Sequence, residues 1–264
     1  MSRRWQTCIL CGASIALLVV TSVIVFSRAS TKSPSASNNT QTQSQRRKKL
    51  RNLVLQPEAA AVNRKLGNRF KSENGRSVLV GTITIGSDRQ PVTIIRSLTE
   101  TGETVELYLT ARKFIWTEAE GIKAGQGAAA TEADRLAVER LVFDSPDQFV
   151  LAQLRGASYQ TIVRNLRPTD ATDDYSGPLW TMVRVNDPQT VEGAGPKSPW
   201  RLYFINSISG LIDRVASDVE GQLVEASILQ WTDQNGEKMP SQIRWTMNGK
   251  TLMEFELQSS SYGQ

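Results

Sequence analysis

The aspartates Asp170, Asp173 and Asp174 form one group of side chains that could carry chemistry. Paired carboxylates serve as acid and base in glycoside hydrolysis, and clusters of oxygen ligands bind Ca²⁺. The surrounding stretch, TDATDDYSGP, lacks the spacing of an EF-hand loop and is rich in turn-forming residues. We therefore interpret it as a solvated loop, with a weak cation site and a carboxylate-pair catalyst as the alternatives.

Three glycines, Gly121, Gly125 and Gly127, raise a second possibility, a phosphate-binding loop. The stretch EGIKAGQG lacks the G-x-x-x-x-G-K-[ST] order, and no buried parallel strand leads into it. It is predicted to be a flexible connection between a strand and a helix.

The chain has no histidine, and its two cysteines, Cys8 and Cys11, lie at the start of an apolar segment. Ser145 and Ser209 consequently have no histidine to activate them as nucleophiles. Zinc, copper and haem sites of the usual type need histidine or cysteine ligands, so the remainder of the chain is not expected to hold one. We predict a protein that is not an enzyme and has no metal site and no cofactor.

Residues 9–26 form an uncharged run of eighteen residues, ILCGASIALLVVTSVIVF. As a helix it would be roughly 27 Å long, close to the hydrocarbon thickness of a bilayer. Residues 1–28 are therefore predicted to be an N-terminal membrane anchor, with a cleaved signal segment as the alternative. Two basic residues, Arg3 and Arg4, precede the run and two, Arg28 and Lys32, follow it, so the local charge does not decide its orientation.

Residues 29–52 are predicted to be a disordered linker, first rich in Ser, Thr, Asn and Gln and then basic. Nine of the 31 Lys and Arg residues lie in 1–52, which leaves 22 against all 26 Asp and Glu residues in the rest of the chain. The domain at 53–264 is thus acidic, although the whole chain has a net charge of +5. Since nucleic-acid affinity comes largely from Lys and Arg on phosphates, we expect no nucleic-acid partner.

The domain itself is predicted to be α+β and mainly β. Helical periodicity and capping signals predict helices at 53–72, 132–143 and 146–155. Alternating apolar residues between turn signals predict eleven strands. The strands fall near 76–86, 91–98, 103–110, 112–117, 158–166, 178–186, 199–207, 210–219, 221–232, 241–248 and 250–258.

Large aromatic residues recur on these predicted strands. Most aromatic side chains in strands pack in a core, but a curled sheet this rich in them could also enclose an apolar ligand cavity between itself and the helices. The residues predicted to line it are Trp116, Phe149, Trp200, Phe204 and Trp245.

The turns and strands of the second half resemble a known family. The run from Leu202 to Ile212, LYFINSISGLI, reads as a strand, a turn and a strand, and NGEKMPSQI and Asn248-Gly249-Lys250 follow it. This succession resembles the bacterial lipoprotein-carrier fold (LolA/LolB-like), most closely over 200–258. The helical pair and the stretch DATDDYSGPL at 170–179 are similar to the uncharacterised exported branch of that family.

The resemblance implies a large curled antiparallel sheet, an unclosed barrel, with the helical pair as a lid over a hydrophobic cavity for acyl chains. It implies no catalysis, and it places the domain in the periplasm or on the exterior of the cell membrane. The expected function is a membrane-tethered binding protein for a lipid or a lipidated protein, attached through residues 9–26. The alternative is an envelope interaction or scaffold domain with a filled core.

Overall fold

The structure, a computed structural model, describes residues 55–67, 75–99, 102–117, 120–127, 131–168, 174–187, 200–234 and 236–263. Within these ranges no helix is long and apolar enough to cross a bilayer. The predicted anchor at 9–26 and the predicted linker at 29–52 lie outside the described residues.

The described residues form twelve antiparallel strands in one sheet. The strands are β1 (Arg76–Ile85), β2 (Asp88–Thr99), β3 (Gly102–Leu109), β4 (Arg112–Thr117), β5 (Gly121–Gly127), β6 (Ser158–Leu166), β7 (Trp180–Asn186), β8 (Trp200–Asn206), β9 (Ile212–Val219), β10 (Gln222–Gln234), β11 (Glu237–Met247) and β12 (Lys250–Gly263). Their order in the sheet is β5-β4-β3-β2-β1-β12-β11-β10-β9-β8-β7-β6.

The two edge strands, β5 and β6, are consecutive in the sequence but do not pair with each other. The sheet is therefore an unclosed barrel, as predicted, and the first strand pairs with the last near its middle. At that pairing the register shifts beside Gly81, where an added Cβ would lie 2.2 Å from the carbonyl oxygen of Glu256. A glycine is needed here because the backbone of β12 comes too close for any side chain.

Three helices accompany the sheet: α1 (Pro57–Lys65), α2 (Glu132–Phe143) and α3 (Gln148–Leu154). The predicted capping box of α2 is present, since the side chains of Thr131 and Asp134 each accept a hydrogen bond from the other residue's backbone. Gly156 follows α3 with φ of +89°, a left-handed conformation that ends a helix at little cost for glycine. The helical pair, α2 and α3, thus connects the two edges of the unclosed barrel.

The core lies between the helices and one face of the sheet, here called the inner face. Strand alternation places every second side chain there. The inner face includes Val92, Ile94, Val105, Leu107, Val183, Val185, Val224 and Ala226, all buried. Residues 137–144 and 146–153 are buried without exception. Ala59 and Val62 of α1 and Leu66, which follows it, join the same core.

Several predicted bounds differ from the structure. The stretch 121–127 was predicted to be a flexible connection, but it is a strand. Its backbone pairs with β4, although its glycine-rich sequence has no alternating apolar pattern that would predict a strand. Helix α1 is shorter than the predicted 53–72, and α3 begins at Gln148 rather than at Pro146. Of the three clustered aspartates, Asp174 is exposed, and Asp170 and Asp173 lie outside the described residues.

Candidate functional site

The inner face meets the helical pair through aromatic contacts. The rings of Trp116 on β4 and Phe143 at the end of α2 lie 5.2 Å apart, edge to face. Phe149 on α3 packs edge-on against Tyr203 of β8 at 4.9 Å and against Tyr159 of β6 at 5.2 Å. Such pairs add to the burial of apolar area, so both helices are held to the sheet by large rings.

Two of these rings carry hydroxyl groups whose acidity burial weakens. Tyr159 donates its hydroxyl hydrogen bond to the backbone carbonyl of Phe149. Burial raises the pKa of Tyr159 and that of Tyr203 far above the usual value of a tyrosine, because each phenolate would lose its hydration. Both side chains therefore stay neutral, as the apolar surroundings require.

Buried charged groups also join the helical pair to the sheet. The first set, which we call the Glu103 cluster, consists of Arg96, Glu103, Gln148, Arg155 and Asp187. Glu103 on β3 is 1% exposed and accepts hydrogen bonds from Arg96 of β2 and from the Gln148 side chain at 2.9 and 3.0 Å. Arg155, which follows α3, donates to Glu103 at 3.2 Å and to Asp187 at 2.6 and 3.1 Å. One carboxylate thus connects two strands with both ends of α3.

The second set, which we call the Asp144 cluster, consists of Arg140, Asp144, Arg201 and Ser217. Asp144 lies at the C-terminal end of α2 and accepts from Arg140 at 3.0 and 3.3 Å and from Arg201 of β8 at 3.3 Å. Arg140 also donates to the Ser217 hydroxyl of β9 at 3.0 Å. Arg140 is 0% exposed and Arg201 is 3% exposed, so both guanidinium groups are removed from water.

A third link holds the start of α2. Asp134 of the capping box also forms an ion pair with Arg112 of β4, with the carboxylate almost buried. The helical pair is therefore attached to β2, β3, β4, β8 and β9 by hydrogen-bonded charges as well as by aromatic rings. Desolvating such charges is costly, so their net contribution to stability is far smaller than their number suggests.

The opposite face of the sheet, here called the outer face, has a different character. Exposed or half-exposed ion pairs run across it: Lys113–Glu106, Arg89–Glu256, Arg244–Glu254 and Arg214–Glu225. The Lys113 ammonium, hydrogen-bonded to Glu106, lowers the pKa of that carboxyl. Such pairs are typical of a solvated sheet surface.

The five residues predicted to line a cavity lie on both faces. Trp116, Phe149 and Trp245 belong to the core between the inner face and the helices and are at most 2% exposed. Trp200 and Phe204 alternate with Arg201 and Tyr203 along β8, so they lie on the outer face. There Phe204 contacts Trp180, and the Arg214 guanidinium lies over both rings at 4.9 Å. The structure thus brings three of the five together; that they line a ligand cavity stays a prediction.

The charged clusters were not predicted from the sequence, although a signal for them exists. Arg96 shares one strand face with Val92 and Ile94, Glu103 shares one with Val105 and Leu107, and Arg201 shares one with Tyr203. An arginine or glutamate at an apolar position of an alternating strand indicates a buried charge that needs a partner.

Metal binding has no support in the described ranges, where no group of three or more His, Cys, Asp or Glu side chains could hold an ion. The buried carboxylates Glu103 and Asp144 accept hydrogen bonds from guanidinium groups. Each of these carboxylates thereby links the helical pair to the sheet.

No protein-family model and no curated protein matches the chain. Solved structures similar to it include a DUF1329 family protein from Desulfovibrio piger, with 10% identity, a TM-score of 0.47 and coverage of 78% of this chain and 91% of the other. A domain described as a putative outer membrane lipoprotein-sorting protein, from Vibrio parahaemolyticus, has 6% identity and a TM-score of 0.48, and the match covers 78% of this chain and 92% of the other. A LolA superfamily protein from Nitrosomonas europaea has 10% identity and a TM-score of 0.42, and the match covers 77% of this chain and 92% of the other.

Two of these three neighbours carry names of the family that the sequence resembles, the lipoprotein carriers (LolA/LolB-like). At this identity the likeness concerns the fold alone. The function of this chain must therefore be argued from its own residues.

Proposed function

We propose that the chain is a membrane-tethered, non-catalytic binding protein of the cell envelope that holds a lipid or an acylated ligand against the inner face of its sheet. Residues 9–26 would tether it, and the domain at 53–264 would face the periplasm or the exterior. The observation that carries the proposal is the attachment of the helical pair, which covers a large apolar surface yet is fastened to it partly by charged groups.

Charged and apolar contacts respond differently when the helices move away from the sheet. The Glu103 and Asp144 clusters would regain hydration, which offsets much of the loss of their ion pairs. The aromatic contacts would expose apolar surface, at roughly 1.5–3 kcal/mol for each large side chain. Separating the helical pair from the sheet therefore requires less free energy than it would if the attachment were entirely apolar.

An acyl chain bound between the helical pair and the sheet could then replace the apolar contacts that are lost on opening. Burial of each methylene contributes about 0.8 kcal/mol, so a chain of about twelve methylenes would contribute roughly 10 kcal/mol. Trp116, Phe143, Phe149 and Tyr203 are the large side chains that such a chain would cover. In this proposal the described structure, with the helical pair packed on the sheet, is the closed form.

The test uses the full-length protein expressed in cells that are fed a fatty acid carrying a diazirine group in its chain. After irradiation, the cross-linked peptides are mapped by mass spectrometry. We expect labels on α2, α3, β3, β4 and β8. Labels confined to residues 9–26 and to the outer face would overturn the proposal, because the probe would then report only the surrounding bilayer.

The alternative, an envelope interaction or scaffold domain with a filled core, is supported by one observation. Trp116, Phe149 and Trp245 are already covered by protein in the described structure. A labelling pattern that spares the inner face would favour this alternative. Equal protection of the helical pair and the central strands in hydrogen exchange would favour it further.

A further inference from the structure

The two charged clusters differ in how completely their nitrogen atoms are hydrogen-bonded. In the Glu103 cluster, the buried side-chain atoms of Arg96, Glu103 and Gln148 all have partners. In the Asp144 cluster, three buried guanidinium nitrogens have no hydrogen-bond acceptor: Nε and Nη2 of Arg140 and Nη2 of Arg201. Buried donors in proteins are nearly always satisfied, so this concentration in one cluster calls for a cause.

The acceptors around these nitrogens are already occupied or poorly placed. Asp144 receives Nη1 of Arg140 and Nε of Arg201, and Ser217 receives Nη1 of Arg140. The Glu139 carboxylate lies 3.4 Å from Nη2 of Arg140 without the alignment of a hydrogen bond. Two guanidinium groups therefore face two carboxylates, and what the cluster lacks is acceptor atoms rather than charge.

The cluster adjoins the apolar surface of the proposed binding site. The Arg201 guanidinium lies 5.1 Å from the centre of the Phe143 ring, which in turn contacts Trp116. Tyr203, two residues along the same strand and on the same face, contacts Phe149. An amphiphile whose chain covers these rings would bring its polar end to Arg140 and Arg201.

We propose that Arg140 and Arg201 bind the anionic headgroup of the acyl ligand, a carboxylate or a phosphate, through these three nitrogens. Planar guanidinium groups match such oxygens with paired, charge-assisted hydrogen bonds. The inference rests on the proposed function, which it extends by naming the headgroup.

The experiment measures competition against the diazirine fatty acid for labelling of the inner face of the full-length protein. The competitors are dodecanoate, 1-dodecanol and, as a free anion without a chain, inorganic phosphate, at a pH where dodecanoate is ionised. We expect dodecanoate to compete at about tenfold lower concentration than 1-dodecanol, as one or two charge-assisted hydrogen bonds imply. Phosphate at those concentrations should not compete.

The variant Arg201→Gln should reduce this tenfold preference to near one. The matched control, Arg184→Gln, changes an outer-face arginine that lies over the Trp200 ring and should keep the preference. The wild-type ratio needs no variant, so it decides the matter even where Arg201→Gln does not fold.

Each remaining outcome separates the inference from the proposed function. Equal competition by dodecanoate and 1-dodecanol, or a preference that survives Arg201→Gln, would overturn the headgroup site and leave the binding function standing. Competition by phosphate alone would assign the site to a free anion and overturn the inference. Absence of inner-face labelling would overturn the binding function itself.

Discussion

Replacing Glu103 by Gln tests the attachment of the helical pair most directly. The substitution keeps the size of the side chain and removes the charge of a carboxylate that is 1% exposed. Arg96 and Arg155 both donate to this carboxylate, and so does the amide of Gln148. The variant therefore leaves two buried guanidinium groups facing a neutral amide.

Removing one partner of a buried ion pair typically costs about 3–5 kcal/mol, because the remaining charge stays buried. Arg155 keeps its hydrogen bonds to Asp187 at 2.6 and 3.1 Å, which places the expectation near the lower end of that range. With a melting shift of about 2–4 °C for each kcal/mol in a domain of this size, the melting temperature should fall by roughly 6–12 °C.

The control is Glu256→Gln on the outer face, whose carboxylate lies 2.7 Å from Arg89 with side-chain exposures of 46% and 62%. It loses the same charge in solvent and should cost less than about 1 kcal/mol. Both variants of the full-length protein are compared by urea unfolding and by hydrogen exchange read with mass spectrometry. In Glu103→Gln, exchange should rise in residues 131–156 more than in β10 to β12.

Two results would refute this reasoning. A stability loss equal to that of Glu256→Gln would mean that the Glu103 cluster contributes no more than a surface pair. A full loss of stability with uniform exchange throughout the sheet would mean that the helical pair does not separate from the sheet as a unit, and the opening step of the proposed function would fail with it.

Two further predictions concern the sheet and the buried hydroxyl groups. Gly81→Ala should lower the free energy of unfolding by about 1–3 kcal/mol in a urea titration, because its Cβ would lie 2.2 Å from a backbone carbonyl of β12. The control, Gly125→Ala, should lower it by less, because its Cβ would lie no closer than 3.2 Å to atoms of β4. Burial raises the pKa of Tyr159 and Tyr203 above the ordinary 10.0. Their contribution to the free energy of unfolding is therefore fully present below about pH 10, and above it each tyrosine lowers that free energy by about 1.4 kcal/mol per pH unit. Above about pH 10, Tyr159→Phe should reduce the slope of the free energy of unfolding against pH by the contribution of one tyrosine. An unchanged slope would contradict the raised pKa of Tyr159.

The strands and helices with a regular pattern could be predicted from the sequence. Alternating apolar residues located eleven of the twelve strands, and the capping box at Thr131 located the start of α2. Strand β5 could not be found in this way. Its sequence, GIKAGQG, contains three glycines and one sizeable apolar residue, and only pairing with β4 makes it a strand.

The candidate site was harder to predict because its partners are distant in sequence. Glu103 receives a hydrogen bond from Arg155 across 52 residues, and Asp144 receives one from Arg201 across 57. Alternation alone could place Arg96, Glu103 and Arg201 on the same face as the apolar residues two positions away. The choice of partner, however, depends on how the sheet curls around the helices. Trp200 and Phe204 were placed with Trp116 for the same reason, since alternation separates the two faces of one strand but does not say which face is inner.

The division of β8 between the two faces gives the proposal a physical basis. On the inner face, Arg201 and Tyr203 contact the helical pair through Asp144 and Phe149. On the outer face, the face away from the helical pair, Phe204 packs under Arg214. A ligand that displaced the helical pair would meet an arginine and a tyrosine side by side, a polar end and an apolar wall on one strand. That juxtaposition suits an amphiphile better than a purely apolar molecule, because a purely apolar ligand would leave the buried guanidinium groups without acceptors.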